Sequence, residues 1–227
     1  MARHHSNRQY AVLGLGVFGS TIAKTLSEQG CEVLAVDKDI TCVERIADTV
    51  TKAVQADATN IDELMTLGIQ DFDVVIVAIG DHLEQSVLTI MNVKELGVKH
   101  VIAKAKNKIN MRVLLKVGAD RVVRPEKEMG VKVAKSLLRN NIVDLVELDS
   151  DYCVVEMNAP KQWIGKSLKI LNVRVAYGFN ILGVKYAGEE KLKMSIDPDY
   201  IIREGDHFLV LAETERAERF DYNSALI

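Results

Sequence analysis

A glycine-rich segment near the start of the chain carries the clearest chemical signal in the sequence. Gly14, Gly16 and Gly19 form a GxGxxG pattern that directly follows an apolar run and opens an amphipathic one. In a strand–turn–helix setting, the first glycine permits the tight turn, the second lets a pyrophosphate approach the backbone, and the third allows close helix–strand packing. The helix that follows offers free N–H groups and a positive dipole to phosphate. The pattern therefore predicts a phosphate-binding loop.

An acidic residue follows at the spacing that this chemistry needs. Asp37 ends the second apolar run, roughly 20 residues after the glycine loop, where a carboxylate accepts hydrogen bonds from ribose hydroxyls. An acid at this position disfavours a 2′-phosphate, which argues against NADP. The alternative, a glycine turn with a capping aspartate, explains the combination poorly, so we predict a nucleotide site.

Polar residues also follow the next three apolar runs, as Asp57-Ala58-Thr59, Gly80-Asp81 and Lys104-Ala105-Lys106-Asn107. Any one of these segments alone is more typical of a helix cap or a solvated loop. In an open parallel sheet, however, the carboxyl ends of the strands meet at one edge, and ligands bind there. Their shared position predicts a common pocket, in which Lys104 is the best candidate for a phosphate contact.

Motifs for catalysis give no positive signal. The sequence contains no HExxH, GxSxG or CxxC pattern. Gly165-Lys166-Ser167 resembles the end of a P-loop, but Pro160 occupies the position of its first glycine and has no N–H to offer a phosphate. Nucleotide binding without catalytic groups indicates a sensor rather than an enzyme. A small NAD-dependent oxidoreductase is the alternative.

Alternating apolar and amphipathic segments supply the elements that position these groups. The predicted strands are Tyr10–Leu13, Glu32–Val36, Lys52–Gln55, Val74–Ile79, His100–Ala105 and Arg121–Val123. The predicted helices are Gly19–Gln29, Ile40–Thr49, Ile61–Leu67, His82–Leu96 and Asn107–Val117. Because Val74–Ile79 is apolar at every position, both faces of its sheet must be covered, which predicts a Rossmann-like α/β fold with a parallel sheet between helices.

The pattern changes after residue 141. Strand-like runs at Val154–Met157, Phe179–Lys185 and His207–Ala212 are separated by turn signals, and a short helix is expected at Glu213–Phe220. We therefore predict a nucleotide-binding domain over residues 1–141 and a small α+β domain over residues 142–227.

One more helix, Glu126–Arg139, is predicted to end the first domain. Its apolar side chains cover an arc of roughly 200°, whereas one packed face needs little more than about 100°. We expect this helix to be buried on two sides, and the second side faces either the other domain or another subunit.

Composition limits the classes of partner. A net charge of −3 gives no electrostatic reason to expect nucleic acid. The longest apolar run, Val74–Ile79, is far shorter than the ~20 residues that cross a bilayer. Three widely spaced cysteines suit a reducing compartment. We expect a cytoplasmic protein that reaches a membrane only through a partner.

With these residues in view, the chain resembles the RCK (regulator of potassium conductance) subunits of Ktr and Trk potassium uptake systems. The likeness covers nearly the whole chain and includes the segments YAVLGLGVFGSTIAKTL, EVLAVD, QADAT, LGIQDFDVVIVAIG, KELGVKHVIAKAKN, VLLKVGADRVVRPEKEMG, VRVAYGFNILGVK and IIREGDHFLVL. VAIG and GAD(x)4PE are specific to the family, whereas GxGxxG is not. In this family a helix of the smaller domain often begins near a GKSL segment, which explains Gly165–Leu168 better than a broken P-loop does.

The resemblance implies a regulatory, gating subunit that senses ATP or ADP, or alternatively NAD or NADH. It implies homodimers through the N-terminal domains and an octameric ring on a KtrB/TrkH-like membrane potassium channel. Carried onto matching positions, the nucleotide contacts are Gly14, Gly16, Val17, Phe18, Gly19, Asp37, Lys38, Asp39, Asp57, Ala58, Ile79, Gly80, Asp81, Lys104, Ala105, Lys106, Asn110 and Glu126.

Two further ligands are implied by the resemblance. Glu126 would hold a divalent cation near the neighbouring subunit; its alternative role is that of a helix N-terminal acid stabilised by the dipole. Some relatives bind cyclic di-AMP between C-terminal modules, and Arg174, Asn180 and Ile181 match that segment, although Ile196 stands where a proline is expected.

One position departs from the family pattern. Ktr subunits commonly carry an arginine in the glycine loop, where it contacts the terminal phosphate of ATP, and this chain has Val17 there. We therefore expect weak discrimination between ATP and ADP, and a dinucleotide becomes a more credible ligand.

Overall fold

The computed structural model describes residues 8–80, 82–138 and 141–224. The chain divides into two compact units, of which the first ends at Met129 and the second begins at Gly130. Each unit has a hydrophobic core of its own. The domain boundary that the sequence predicts after residue 141 lies further along the chain and stays a prediction.

The first unit is built on a parallel sheet. Its strands are β1 (Gln9–Leu13), β2 (Glu32–Asp37), β3 (Lys52–Gln55), β4 (Val74–Val77), β5 (His100–Lys104) and β6 (Arg121–Val123). They lie in the order β3-β2-β1-β4-β5-β6, and every neighbouring pair is parallel. The chain reverses its direction of travel across the sheet beside β1, at the switch point where open α/β sheets bind their ligands.

Helices follow the strands of this unit. They are α1 (Val17–Glu28), α2 (Ile40–Glu44), α3 (Ile61–Thr66), α4 (Leu83–Glu95), α5 (Lys108–Lys116) and α6 (Pro125–Leu137), the last of which crosses from the first unit into the second. Asp39, Asn60 and Asn107 cap α2, α3 and α5, each accepting a hydrogen bond from a backbone N–H of the first turn. These caps satisfy donors that have no partner within the helix.

Alternate residues of the central strands enter two different cores. Val12, Ala35 and Ile76 pack on the side of α1 and α2. Leu13 and Val77, by contrast, pack on the side of α3, α4 and α5 with other apolar residues. Because both faces of the sheet are covered, the strands must be apolar throughout, as the sequence indicates. The predicted Rossmann-like α/β fold is confirmed.

The second unit contains an antiparallel sheet in the order β7-β8-β10-β9. Its elements are β7 (Ile142–Glu147), β8 (Tyr152–Asn158), α7 (Leu168–Leu171), α8 (Val173–Tyr177), β9 (Asn180–Lys185), β10 (His207–Glu213) and α9 (Thr214–Ser224). Aromatic side chains fill the core, where Trp163 is fully buried and contacts the rings of Tyr177, Phe208 and Phe220. The predicted α+β architecture of this part of the chain is confirmed.

Several predicted elements differ in extent. The single helix predicted over Ile40–Thr49 is wrong: α2 ends at Glu44, and a separate 3-10 turn covers Ala47–Thr49. The break lets Ile46, only 1% exposed, reach the core. The predicted strand Val74–Ile79 is shorter in the structure and ends at Val77, since the next residues leave the strand at the carboxyl edge of the sheet. Strand β7 was not predicted. The predicted helix Glu126–Arg139 corresponds to α6, and its last residue, Arg139, lies outside the described residues.

A buried carboxylate braces the second unit. Asp206 is fully buried and accepts hydrogen bonds from the N–H groups of Ala187 and Arg203, at 2.9 and 2.8 Å, and from the hydroxyl of Tyr200 at 3.0 Å. Burial and this carboxylate raise the pKa of Tyr200 to about 12. Three donors from separate turns thus depend on one side chain.

We expect Asp206→Ala to lower the free energy of unfolding by roughly 3 kcal/mol, because it leaves buried donors without an acceptor. Asp197→Ala is the control, since Asp197 is exposed and, among the described residues, its carboxylate accepts only from the N–H of Asp199; it should cost less than about 1 kcal/mol. Urea unfolding of the full chain measures both, and equal losses in the two variants would contradict the bracing role.

Candidate nucleotide site

The glycine loop connects β1 to α1 in three residues. Gly14 has a φ of +98°, which favours glycine, and its N–H donates to the carbonyl of Val36 at 2.8 Å. A Cβ at Gly19 would overlap the carbonyl oxygen of Gly14, so only glycine lets the helix approach so closely. A Cβ at Gly16 would meet nothing within 4 Å. Gly14 and Gly19 are therefore tightly packed, whereas Gly16 has open space beside it.

Asp37 ties the end of β2 to this loop. Its Oδ2 accepts the N–H of Leu15 at 2.6 Å, and its Oδ1 accepts the N–H of Asp39 at 2.9 Å. Each carboxylate oxygen can accept a further hydrogen bond. Asp37 thus fixes the conformation of the loop, as the alternative of a capping aspartate requires. Its carboxylate can also accept a hydrogen bond from a group bound beside the loop.

Lys104 stands on the other side of that space, at the end of β5. Its Nζ lies 2.7 Å from Oε1 of Glu126 and 5.9 Å from the centre of the Phe18 ring. Its side chain also lies along Gly80, where an added Cβ would come within 3.2 Å of Nζ. The hydrogen bond from Lys104, followed by the N–H at the helix start, lowers the pKa of Glu126.

The loop after β3 forms a third wall. The carboxylate of Asp57 accepts from the hydroxyl and the N–H of Thr59, at 2.7 and 2.9 Å, and these bonds lower the pKa of Asp57. The side-chain amide of Asn92 in α4 donates to the carbonyl of Thr59 at 2.9 Å. The loop is thereby fixed against α4.

These walls enclose a cleft of about 800 Å³ at the carboxyl ends of the strands, within the range of small-molecule sites. The sequence-predicted residues that line it are Gly14, Gly16, Val17, Phe18, Asp37, Lys38, Asp57, Ala58, Thr59, Ile79, Gly80, Lys104 and Glu126. Residues far apart in sequence are therefore brought to one site. The ammonium of Lys104, the carboxylate of Asp37 and the glycine loop all line the same space.

Comparison with known proteins identifies the chain. The family model of the TrkA-N domain matches residues 10–125, and that of the TrkA-C domain matches residues 154–221. The chain is 43% identical over 215 residues to Ktr system potassium uptake protein A of Bacillus subtilis, covering 95% of this chain and 96% of that protein. The chain belongs to the Ktr/Trk family. It is also 38% identical over 214 residues to Ktr system potassium uptake protein C of the same organism, covering 94% of this chain and 96% of the relative.

Solved structures agree with the family's fold. The GsuK RCK domain superposes with a TM-score of 0.64 at 14% identity, covering 96% of this chain and 48% of that one. The GsuK channel bound to NAD gives a TM-score of 0.63 at 16% identity, covering 97% of this chain and 40% of that one. This Ktr/Trk chain thus spans half or less of the length of those channel chains, and the likeness extends over both of its units.

The remaining predicted contacts do not line the cleft. Gly19 packs behind the loop, and Asp39 caps α2, with a pKa lowered by its hydrogen bonds from Thr41. Ala105 is buried, while Lys106 is exposed. Asn110 lies in the first turn of α5, and Asp81 lies outside the described residues. Their roles as contacts stay predictions.

Several lining residues escaped the sequence analysis. They are Thr21, Val36, Ala56, Ala78, His82, Gln85, Pro125 and Met129. Many of them lie in the last residues of a strand or near the start of the next helix. Because helical side chains lean toward the helix N-terminus, the first turns after β1, β4 and β6 face the carboxyl edge of the sheet. The position of a residue in the first turn of such a helix is therefore the sequence signal that would have identified these lining residues.

A second, smaller pocket lies in the second unit of this Ktr/Trk protein. Its volume is about 370 Å³, and Arg174, Asn180 and Ile181 line it together with Ile196 and Pro198. The three residues that the sequence analysis assigns to cyclic di-AMP therefore share one concavity, and their role stays a prediction. Pro198 lies in the same wall as Ile196, where the family pattern leads one to expect a proline.

The described residues contain neither a cluster of metal ligands nor a helix that could span a membrane. Among them, no group of three or more His, Cys, Asp or Glu side chains is arranged to hold a metal ion. Glu126 is instead engaged by Lys104. In the part of the chain that the structure describes, no helix is both long and apolar enough to traverse a bilayer.

The ion pair in the cleft gives a direct prediction. Replacing Lys104 by methionine removes the main cause of the low pKa of Glu126, so that pKa should rise toward its ordinary value. Lys106→Met is the matched control, because Lys106 is the weakest of the contributing groups and should produce a smaller rise. Carbon-13 NMR titration of the Glu126 carboxyl decides it; an unchanged pKa in Lys104→Met would show that the pair does not form.

Proposed function

We propose that this chain is a nucleotide-binding regulatory subunit of a potassium channel or transporter. The observation that carries the proposal is the cleft, in which the open glycine loop, Asp37 and Lys104 face one space. Its support comes from 43% identity to a Ktr system potassium uptake protein over nearly the full length of both chains.

The cleft suits an adenine nucleotide with its phosphates at the glycine loop. The N–H groups at the start of α1 and the ammonium of Lys104 offer positive charge to phosphate. Asp37 offers its remaining lone pairs to ribose hydroxyls. ATP, ADP and the dinucleotides NAD and NADH all carry these two parts. GsuK, a structural neighbour, has been solved with NAD bound, which keeps the dinucleotides among the candidates.

A phosphate in the cleft would compete with Glu126 for Lys104. Glu126 and Met129 belong to the first turns of α6 and line the cleft. Further along the same helix, Lys132 and Lys135 form ion pairs with Asp144 and Glu147 of β7. A ligand that draws Lys104 from Glu126 therefore acts on a helix that continues into the second unit. We propose that this helix carries the ligand signal.

Self-association is supported by the exposed apolar face of α6. No residue of this helix is buried within the chain, and Met129, Val131, Val133 and Leu137 are between 47% and 79% exposed. Such a face needs a cover in water. A homodimer through this helix would supply it, and eight chains in a ring on a KtrB/TrkH-like membrane channel is the assembly that we propose. The chain would then lie in the cytoplasm, held at the membrane by that partner.

Two additional ligands belong to the same proposal. A divalent cation would bind at Glu126 once phosphate has taken Lys104, since two anionic groups would then lie together. Cyclic di-AMP would bind at Arg174, Asn180 and Ile181, which share a pocket with an arginine for phosphate and an apolar wall for a base. The oxidoreductase alternative has no support from the relatives, which are named as potassium uptake proteins.

Potassium flux through a reconstituted Ktr-type membrane subunit tests the proposal. Flux should depend on the presence of this chain and should change when one adenine nucleotide is exchanged for another. Gly16→Ala should abolish the nucleotide response without abolishing assembly. Flux that is the same with and without the chain, together with oxidation of NADH by the chain and a small substrate, would favour the oxidoreductase instead.

The last two glycines of the motif should separate folding from binding. Gly16 has a φ of −61° and open space beside it. Alanine should therefore change stability by less than about 1 kcal/mol, because the lower chain entropy of the unfolded state opposes the loss of a favoured N-cap residue, but it should block phosphate. Gly19→Ala should lower stability by about 1–3 kcal/mol through overpacking. Urea unfolding and ADP titration measure the two effects. ADP affinity in Gly16→Ala within about twofold of wild type would remove phosphate from the loop.

Val17 should leave ATP and ADP poorly discriminated. The side chain is 88% exposed at the mouth of the cleft, and it offers no charge to a terminal phosphate. We expect the two affinities to lie within about one order of magnitude, or 1.4 kcal/mol. Val17→Arg should favour ATP selectively by supplying a bidentate donor, whereas the uncharged Val17→Met should not. A strong ATP preference in the wild type would show that another cation replaces the arginine.

A further inference from the structure

The path of a bound nucleotide across the cleft follows from the strand order. Phosphates at the loop after β1 and a ribose at Asp37, on the end of β2, lead the ligand toward β3, the next strand in the sheet. The base must then lie beside the loop that follows β3. Ala56 and Ala58 line this part of the cleft and offer apolar surface to a flat ring. This placement rests on the proposed function.

The first turn of α4 also lines the cleft. The hydroxyl of Ser86 donates to the carbonyl of Ile79 at 2.6 Å, and the amide of Asn92 donates to the carbonyl of Thr59 at 2.9 Å. These two bonds fix α4 against both the β4 end and the β3 loop. Gln85 lies seven residues before Asn92, hence on nearly the same face of the helix. Its side chain lines the cleft.

Gln85 has the chemistry to read a base. Among the described lining residues it carries the one side-chain amide, it is half-buried, and it makes no hydrogen bond to another described residue. An amide offers a donor and an acceptor side by side, which match the amino group and adjacent ring nitrogen of adenine. The neighbouring Asp57 carboxylate is already held by Thr59, and His82 is exposed at the rim.

We propose that Gln85 determines the base preference of the site, selecting adenine over guanine through its side-chain amide. The idea makes a directional prediction, because a carboxylate at the same position accepts from two neighbouring donors. Guanine presents such a pair, N1–H and the 2-amino group, whereas the ring nitrogen of adenine would face the carboxylate with a lone pair. Gln85→Glu should therefore move the preference toward guanine.

ADP and GDP are the probes, since they carry the same phosphates and any change in repulsion by the new charge cancels in their ratio. Wild type should bind ADP at least about tenfold tighter than GDP. The ratio should fall about fivefold in Gln85→Ala, for loss of one neutral hydrogen-bonding group, and further in Gln85→Glu. Glu84→Gln, an exposed neighbour outside the cleft, is the control and should leave the ratio within about twofold. Thermal melting verifies that each variant is folded.

The outcomes separate this inference from the function on which it rests. ADP binding to the wild type with a ratio unchanged in Gln85→Ala and Gln85→Glu would overturn the role of Gln85 and leave the nucleotide site standing. Equal affinity of the wild type for ADP and GDP would overturn it as well. Failure of the wild type to bind either nucleotide would overturn both the inference and the proposed function.

Discussion

The close approach of α1 to the end of β1 is the constraint from which the site follows. Because Gly19 has no Cβ, the helix can lie against the carbonyl of Gly14, and it starts only three residues after the strand ends. Its first N–H groups are thereby aimed over the carboxyl edge of the sheet. The 2.6 Å bond from Leu15 to Asp37 then fixes the second strand to the same turn. One tight turn thus sets the distance between the proposed phosphate-binding loop and Asp37, the proposed ribose acceptor.

The ion pair between Lys104 and Glu126 is one that an anionic ligand could displace. Lys104 is mostly buried against Gly80 and Phe18, while Glu126 is largely exposed. A surface carboxylate contributes little by itself, so a phosphate with more than one charge can replace it beside the lysine at small cost. Since Glu126 lies in the first turn of α6, a ligand that displaced it from Lys104 would act on the helix that leads into the second unit. Binding and regulation would then share one ion pair.

The sequence predicted the parallel sheet and most of the cleft because both depend on local rules. Apolar strands, glycines at fixed offsets, an acid at the end of β2 and Lys104 at the end of β5 are visible without coordinates, and the family resemblance added Glu126. Prediction from the sequence failed where tertiary packing decides the local structure. Ile46 breaks a predicted helix to enter the core, and β7 carries a mixed pattern that gives no clear alternation. Gln85 and Met129 were missed because their direction, not their type, brings them to the site.

Titration calorimetry of ATP, ADP, NAD and NADH into the full chain tests the central claim most directly. At least one of these ligands should bind saturably, one molecule to each cleft, and Asp37→Ala should weaken that binding roughly tenfold or more, as expected for a lost charge-assisted hydrogen bond. Asp37→Asn, which can still accept from Leu15, separates loss of the loop contact from loss of charge. The absence of saturable binding by all four ligands would contradict the account.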